Sequence, residues 1–179
     1  MIFRNILVGS VLLLISSNAY AADKNLTPDG ADYWKIVELS SKYAWGIDTL
    51  DKEMLGNVFT EDATAHYRIV NDSPIKLDKT LSGFSSIYGW LKDSLGHRKG
   101  IEGFPWHFVS NQIVEINGNE GMLRFYMHNR PGIAGGVYYM KVTKTDKGWR
   151  VKDLRLDEQI WNASGYDSQD VTASPSGSR

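Results

Sequence analysis

A histidine, an aspartate and two tyrosines are the residues of this chain whose types and spacing suit acid–base chemistry. Tyr43 and Asp48 lie five residues apart, Tyr67 follows nineteen residues later, and His107 begins a later apolar stretch. Histidine is the commonest general acid or base, and an aspartate bound to its second N–H fixes the tautomer. Tyrosine hydroxyls can polarise a carbonyl without a metal. The combination predicts proton removal, or assistance to a leaving group, inside an apolar cup.

Further residues are candidates for the wall of this cup. His128 is the candidate for a second acid–base or positioning group. Candidates for contact with the substrate are Trp45, Trp90, Trp106, Asn111, Arg124, Tyr126 and Tyr138. Taken singly, each is more often a packing or surface residue, and Arg124 could instead pair with Asp48 or another carboxylate as a buried ion pair. An aromatic lining would suit a small hydrophobic, aromatic or terpenoid-like substrate.

Motifs for metal, nucleotide or covalent chemistry are absent from the sequence. The four histidines show neither H-x₃-H nor H-E-x-x-H spacing, and the chain has no cysteine. We find no dinucleotide fingerprint, phosphate loop or G-x-S-x-G elbow. The sequence therefore predicts a site without metal or cofactor.

Composition points to one compact domain and limits the classes of partner. The chain has 179 residues, of which 42% are hydrophobic, and 21 acidic side chains against 20 basic ones. That length suits a single domain with a real core. Near-balanced charge argues against nucleic acid or an anionic membrane as a partner, and a protein without cysteine has no disulfides to stabilise it.

The N-terminus is typical of a secretory signal peptide. Residues 6–15 form an apolar run of ten, and Ala19-Tyr20-Ala21 is a small-x-small cleavage site. Ten apolar residues are too few for a bilayer span, which takes about twenty. We predict a signal peptide at 1–21, one domain at 22–162 and a disordered tail at 163–179. Export to a bacterial periplasm is the expected location.

Hydrophobic periodicity predicts three helices. Apolar residues recur at three- and four-residue steps over 33–47, and a short helix restarts near Asp51 with its apolar face ending at Phe59. Thr60-Glu61-Asp62 is expected to break this second helix. A third amphipathic helix is predicted over 83–95.

Period-two alternation predicts the strands. Over 63–70 it directs Tyr67 inward and His66 outward. A short edge strand is expected at 75–77, and four long strands at 106–116, 121–129, 136–145 and 149–160. On the first of these, His107 would share a face with Val109, Asn111 and Ile113. On the second, His128 would share a face with Met122, Arg124 and Tyr126.

The order helix, helix, strand, helix and strand meander predicts an α+β fold. Its sheet would be a curved, cone-shaped antiparallel barrel wrapped by about three helices around one deep pocket.

The motifs resemble a known family. The stretch 43–63 reads Y-A-W-G-I-D-x-x-D-x-x-x-L-x-x-x-F-T-E-D-A, followed by a strand tyrosine and an aromatic–His–aromatic strand start. It is similar to the SnoaL-like branch of the nuclear-transport-factor-2-like superfamily, and most similar to its scytalone-dehydratase and bile-acid-dehydratase group. The resemblance covers roughly residues 30–161. It implies the cone-shaped fold, cofactor-free lyase chemistry, and a homo-oligomer, either a dimer or a trimer.

The resemblance also implies roles for individual residues. Asp48 matches the helix-end aspartate, Tyr67 the first-strand tyrosine, Tyr43 the helix tyrosine and His107 the catalytic strand histidine. His128 lies near the second polar catalytic position. Where the fungal dehydratase has small polar residues, this chain reads Gly136-Val137-Tyr138-Tyr139, which implies a different pocket floor. A hydrolase, isomerase or cyclase, or a non-catalytic small-molecule-binding module, are the alternatives on this scaffold.

Overall fold

The computed structural model describes residues 29–96, 106–129 and 134–161. The predicted signal peptide, the predicted tail and most of the loop expected before the first long strand lie outside these residues. The prediction of three segments along the chain therefore remains a prediction.

The described residues contain three helices, as the periodicity predicted. They are α1 (Asp29–Thr49), α2 (Lys52–Gly56) and α3 (Phe84–Leu95). The side chain of Asp51 caps α2 by accepting a hydrogen bond from the backbone N–H of Met54 at 2.9 Å. This cap allows α2 to begin directly after α1 ends, close to Asp48. Within the described residues, no helix is long and apolar enough to cross a membrane.

In the part of the chain that the structure describes, six strands form one curved, unclosed sheet. They are β1 (Phe59–Ile69), β2 (Asp78–Ser82), β3 (His107–Asn117), β4 (Glu120–Asn129), β5 (Ala134–Thr145) and β6 (Gly148–Ile160). Their spatial order is β2-β1-β6-β5-β4-β3. The α+β class is confirmed, with one correction: β1 and β6 run parallel, while the other pairs are antiparallel. No hairpin joins β1 to β6, so no tight turn imposes an antiparallel direction on them.

Two strand boundaries differ from the sequence prediction. β1 begins at Phe59, so Thr60-Glu61-Asp62 belongs to the strand instead of breaking a helix. The pairing of β1 with β6 shifts register between Phe59 and Thr64, and this irregularity interrupts the period-two pattern that would have revealed the strand. β2 lies at 78–82, three residues later than the predicted edge strand.

The core lies between the concave face of the sheet and the helices α1 and α3. The alternation predicted in β1 is confirmed: Tyr67 is 2% exposed in the core, whereas His66 faces outward and pairs with Asp78 at 2.6 Å. An inward tyrosine and an outward histidine at adjacent positions follow directly from the pleat.

A bulge in β3 overturns part of the predicted alternation. Asn111 has a φ of 57°, and the pairing of β3 with β4 shifts register between Ser110 and Ile113. The extra residue reverses the faces, so Asn111 and Ile113 are exposed while Gln112 turns inward and bonds to Ser40 of α1. His107 and Val109 precede the bulge and keep their inward orientation.

Candidate active site

Asp48 and His107 form a hydrogen-bonded pair where the end of α1 meets the start of β3. The His107 Nδ1 and the Asp48 Oδ1 are 2.5 Å apart. Oδ2 of the same carboxylate accepts the backbone N–H groups of Trp106 and His107, each at 3.0 Å. Asp48 thus receives three hydrogen bonds, and it fixes both the imidazole ring and the first residues of the strand.

The environment of this pair sets its chemistry. The Asp48 side chain is 3% exposed and that of His107 is 11% exposed. Because a carboxylate only accepts hydrogen bonds, Nδ1 carries the hydrogen that points to Asp48. The Nε2 atom lies on the opposite side of the ring from Asp48, and Asp48 stabilises the imidazolium form when Nε2 takes up a proton.

Tyr43 and Tyr67 bring their hydroxyl groups together. Tyr43 lies on α1 and Tyr67 on β1, and their oxygens are 3.0 Å apart in the core. Burial raises the pKa of both phenols well above their usual value, so both are protonated donors at neutral pH. The Tyr43 hydroxyl is also hydrogen-bonded to that of Tyr138. Three hydroxyls have three protons and use two among themselves, so the group keeps one proton that can be donated to a substrate oxygen.

A cavity of about 250 Å³ joins these groups. Its lining includes Tyr43, Tyr67 and His107, together with three aromatic residues predicted to contact substrate: Trp90, Trp106 and Tyr138. The Trp90 ring stacks on Tyr67 with 4.5 Å between centroids. The Tyr138 ring meets Tyr43 edge-on at 5.3 Å, and burial raises the Tyr138 pKa well above its usual value. The remaining wall is mainly aliphatic.

The structure places three of the predicted site residues on the opposite face of the sheet. His128 is exposed, and its ring stacks on Phe108 at 5.2 Å between centroids. Tyr126 is 55% exposed. Arg124 pairs with Glu115 at 2.6 Å instead of with Asp48. Inward-facing β4 residues are those at odd numbers, such as Phe125 and Met127, so the even-numbered residues predicted for the site cannot reach it.

Two more predicted contacts lie away from the cavity. Trp45 is on the outward side of α1 and is 54% exposed. Asn111 is turned outward by the bulge in β3. Neither lines the cavity within the part of the chain that the structure describes.

The sequence reasoning missed four polar residues of the cavity wall: Lys76, Ser94, Asn129 and Glu158. Asn129 is 4% exposed, and its Oδ1 accepts the backbone N–H of Ala134 at 3.2 Å. Glu158 lies on β6, where the inward-facing neighbours Leu156 and Ile160 are apolar. The sequence could have identified Glu158, because period-two alternation assigns it to the core face. A carboxylate among inward apolar residues indicates a site residue.

In the ranges that the structure describes, no group of three or more His, Cys, Asp or Glu side chains is placed to hold a metal ion.

A family model described as a SnoaL-like domain matches residues 29–155, which include both hydrogen-bonded pairs. The chain belongs to the SnoaL-like domain family. This match supports the superfamily inferred from the motifs, and the dehydratase group within it remains a prediction. A comparison with curated proteins found no match.

Solved structures similar to this SnoaL-like domain support the fold. Rv3472 of Mycobacterium tuberculosis, described as a protein of unknown function, is 17% identical; the match covers 85% of this chain and 94% of that one, with a TM-score of 0.61. An NTF2-like superfamily protein from Salmonella enterica is 16% identical, with coverages of 76% and 97% and a TM-score of 0.56. A cystatin-like protein of unknown function from Nostoc punctiforme is 18% identical, with coverages of 72% and 92% and a TM-score of 0.57.

Proposed function

We propose that this SnoaL-like domain is a cofactor-free lyase that eliminates water or an aldehyde from a small, hydrophobic, hydroxylated aromatic substrate. In this proposal His107, oriented by Asp48, transfers a proton between its imidazole and the reacting end of the substrate. Tyr43 and Tyr67 bind the substrate's carbonyl oxygen and stabilise the negative charge that develops on it. We further propose that the protein acts in a periplasm after loss of its signal peptide.

The observation that supports the proposal most is that three functional side chains line one cavity. The imidazole of His107 comes from β3, and the two phenols come from α1 and β1, yet all three side chains line the same space. A binding module needs its buried polar groups only to be paired. Here the Asp48 carboxylate binds the Nδ1 side of an imidazole whose residue also lines the cavity, as an acid–base role requires.

The cavity volume limits the substrate. About 250 Å³ falls below the roughly 300–1,000 Å³ typical of sites for drug-sized ligands. A substrate with one ring or two fused rings fits that space. The mainly apolar wall, interrupted by the phenols and the imidazole, favours an aromatic body that carries oxygen atoms.

A substrate screen tests the proposal. Purified protein is incubated with one- and two-ring hydroxylated aromatic ketones, and elimination is followed by absorbance of the conjugated product and by formaldehyde release. We expect the wild type to convert at least one compound and the His107→Ala variant to convert none. Binding without conversion, shown by quenching of Trp90 and Trp106 fluorescence, would instead support the binding-module alternative.

Replacement of Tyr67 by phenylalanine is expected to reduce kcat by about 10²–10³-fold, the usual effect of removing one donor from an oxyanion site. The phenyl ring keeps its stacking on Trp90, so the cost in folding free energy is about 1 kcal/mol, from the lost hydrogen bond to Tyr43. Kinetics on the substrate found by the screen, with thermal unfolding, measures both effects.

Tyr139→Phe is the matched control for Tyr67→Phe. Tyr139 faces outward under the guanidinium of Arg155 at 4.1 Å, so its hydroxyl has no part in the proposed site. A Tyr67→Phe variant with unchanged kcat and a raised KM would show that the phenol only binds substrate.

A further inference from the structure

We propose that Glu158 is the second proton-transferring residue of this site, a general base that removes a proton from the carbon next to the substrate carbonyl. The inference rests on the proposed lyase function and adds a catalytic group to it. In an elimination with two acid–base groups, one accepts a proton from carbon and the other donates a proton to the leaving oxygen. His128, the predicted second group, faces away from the cavity.

Position is the first argument for Glu158. On β6 the residues Leu154, Leu156 and Ile160 face inward and are buried, and Glu158 shares their face. Its side chain is half-buried and lines the cavity. A carboxylate in an inward row of apolar residues breaks the local pattern of the strand, and such breaks concentrate at functional sites.

Distance from His107 is the second argument. Glu158 pairs with Gly136 on β5, Gly136 pairs with Met127 on β4, and Met127 pairs with Val109 on β3. Glu158 is therefore level with Val109, which lies two residues after His107. Three strand spacings separate the two residues, about 14 Å along the sheet. Both side chains project over the concave face, so the remaining gap suits a substrate of one or two rings held between them.

Other titratable groups of the cavity wall do not suit the second role. The phenols of Tyr43, Tyr67 and Tyr138 have a pKa raised by burial, so they do not accept protons at neutral pH. Lys76 is 71% exposed at the rim and contacts Asp72 at 3.4 Å. Among the described residues that line the cavity, Glu158 is the remaining proton acceptor besides His107.

Proximity to the phenols is a third, supporting observation. The charge of Glu158 contributes to the raised pKa of both Tyr43 and Tyr138, after the larger effect of burial. The carboxylate therefore lies within electrostatic range of the hydroxyls that would hold the carbonyl oxygen, and it lines the same cavity as they do. A base beside the carbonyl-binding group can reach the adjacent C–H bond, which is the bond that the carbonyl makes acidic.

The proposed reaction balances in atoms and electrons. The Glu158 carboxylate accepts a proton from the carbon next to the carbonyl, and the C–H electron pair becomes an enolate held by the phenols. The enolate electrons then form the new C=C bond as the C–O bond at the next carbon breaks. The departing oxygen keeps that electron pair and accepts the Nε2 proton of imidazolium His107, which releases water. Solvent returns the proton from Glu158 to His107.

Hydrogen exchange in a ketone without a leaving group isolates the step assigned to Glu158. The probe is 2-tetralone, a two-ring aromatic ketone, incubated in D₂O with protein while proton NMR follows loss of its α-hydrogen signals. We expect wild type to accelerate exchange and Glu158→Gln to lose about 10²–10⁴-fold of this acceleration, the usual contribution of a general base. His107→Gln should still exchange.

Two further variants keep the result interpretable. Glu158→Asp keeps the charge but shortens the side chain, so we expect exchange between that of wild type and that of Glu158→Gln. Glu115→Gln, on the outer face beside Arg124, should exchange like wild type. Circular dichroism and tryptophan quenching by 2-tetralone confirm folding and binding in each variant. If Glu158→Gln does not fold, the rate of Glu158→Asp decides, and a wild-type rate overturns the proposal.

Three results would overturn the role of Glu158: exchange unaffected in Glu158→Gln, exchange lost in His107→Gln alone, or bound 2-tetralone without acceleration by wild type. None of them removes the lyase proposal, because the substrate screen tests that separately. Conversely, exchange that depends on Glu158 in a protein that eliminates nothing would support the base and reject the lyase.

Discussion

Replacement of His107 by alanine is expected to abolish elimination while the fold persists. The imidazole is the group that joins the buried Asp48 carboxylate to the cavity, so its loss removes the proton transfer at the leaving oxygen. General acid–base groups contribute about 10²–10⁴-fold to rate. We therefore expect kcat on the substrate found by the screen to fall by at least that factor.

The fold should survive this replacement because Asp48 keeps two of its three hydrogen bonds, those from the backbone N–H groups of Trp106 and His107. Loss of the third costs about 1–3 kcal/mol of folding free energy. Circular dichroism and thermal unfolding measure that cost. His66→Ala is the matched control, since His66 faces outward on β1 and pairs with Asp78. Full activity in His107→Ala would reject the assignment of this residue.

Local sequence patterns were sufficient to predict the orientation of two residues of the site. The apolar stripe of α1 placed Tyr43 on its buried side, and the alternation in β1 separated Tyr67 from His66. Both inferences use only the periodicity of a regular element, which short-range sequence determines. The meeting of Asp48 with His107 is different, since fifty-nine residues separate them. Residue types suggested such a pair and the family resemblance supported it, whereas no local pattern indicated it.

Errors arose where regular periodicity is interrupted. The left-handed residue Asn111 adds one position to β3, and every later residue of that strand changes face. The register shift between Phe59 and Thr64 concealed the start of β1 in the same way. Bulges depend on how two strands pair, so a pattern read along a single strand does not reveal them.

The errors in β4 had another cause. The alternation correctly grouped Arg124, Tyr126 and His128 on one face, but periodicity does not indicate which face of a strand meets the core. Burial settles this, because the alternate residues Phe125 and Met127 are 1% and 4% exposed. Aromatic residues and histidines are common on either face of a sheet, so they do not identify the buried face. Two large apolar residues at alternate positions are stronger evidence that their face is the buried one.

Replacement of Asp48 by asparagine is the second change with a large expected effect. The two side chains have the same shape, but the amide has one accepting oxygen and one donating NH₂ group. In the wild type one oxygen receives Nδ1–H of His107, while the other receives the backbone N–H groups of Trp106 and His107. An asparagine can satisfy only one of these two arrangements.

Each orientation of the amide has a distinct consequence. If its oxygen faces the two backbone donors, the NH₂ group faces Nδ1, and His107 must move its hydrogen to Nε2, which prevents that atom from accepting a proton. If its oxygen faces Nδ1, the NH₂ group opposes two N–H groups at the start of β3 and the strand is destabilised. The first orientation satisfies more donors, so we expect the wrong tautomer to dominate.

The expected result for Asp48→Asn is a kcat lower by up to about 10⁴-fold, the effect of the equivalent change in a Ser-His-Asp triad, with a modest loss of thermal stability. Nitrogen-15 NMR of the imidazole distinguishes the two tautomers directly. Asp51→Asn is the matched control, because asparagine caps a helix about as well as aspartate does and Asp51 caps α2 outside the site. A fully active Asp48→Asn variant with its hydrogen still on Nδ1 would show that Asp48 serves the fold alone, since the ring would then be correctly oriented without the carboxylate.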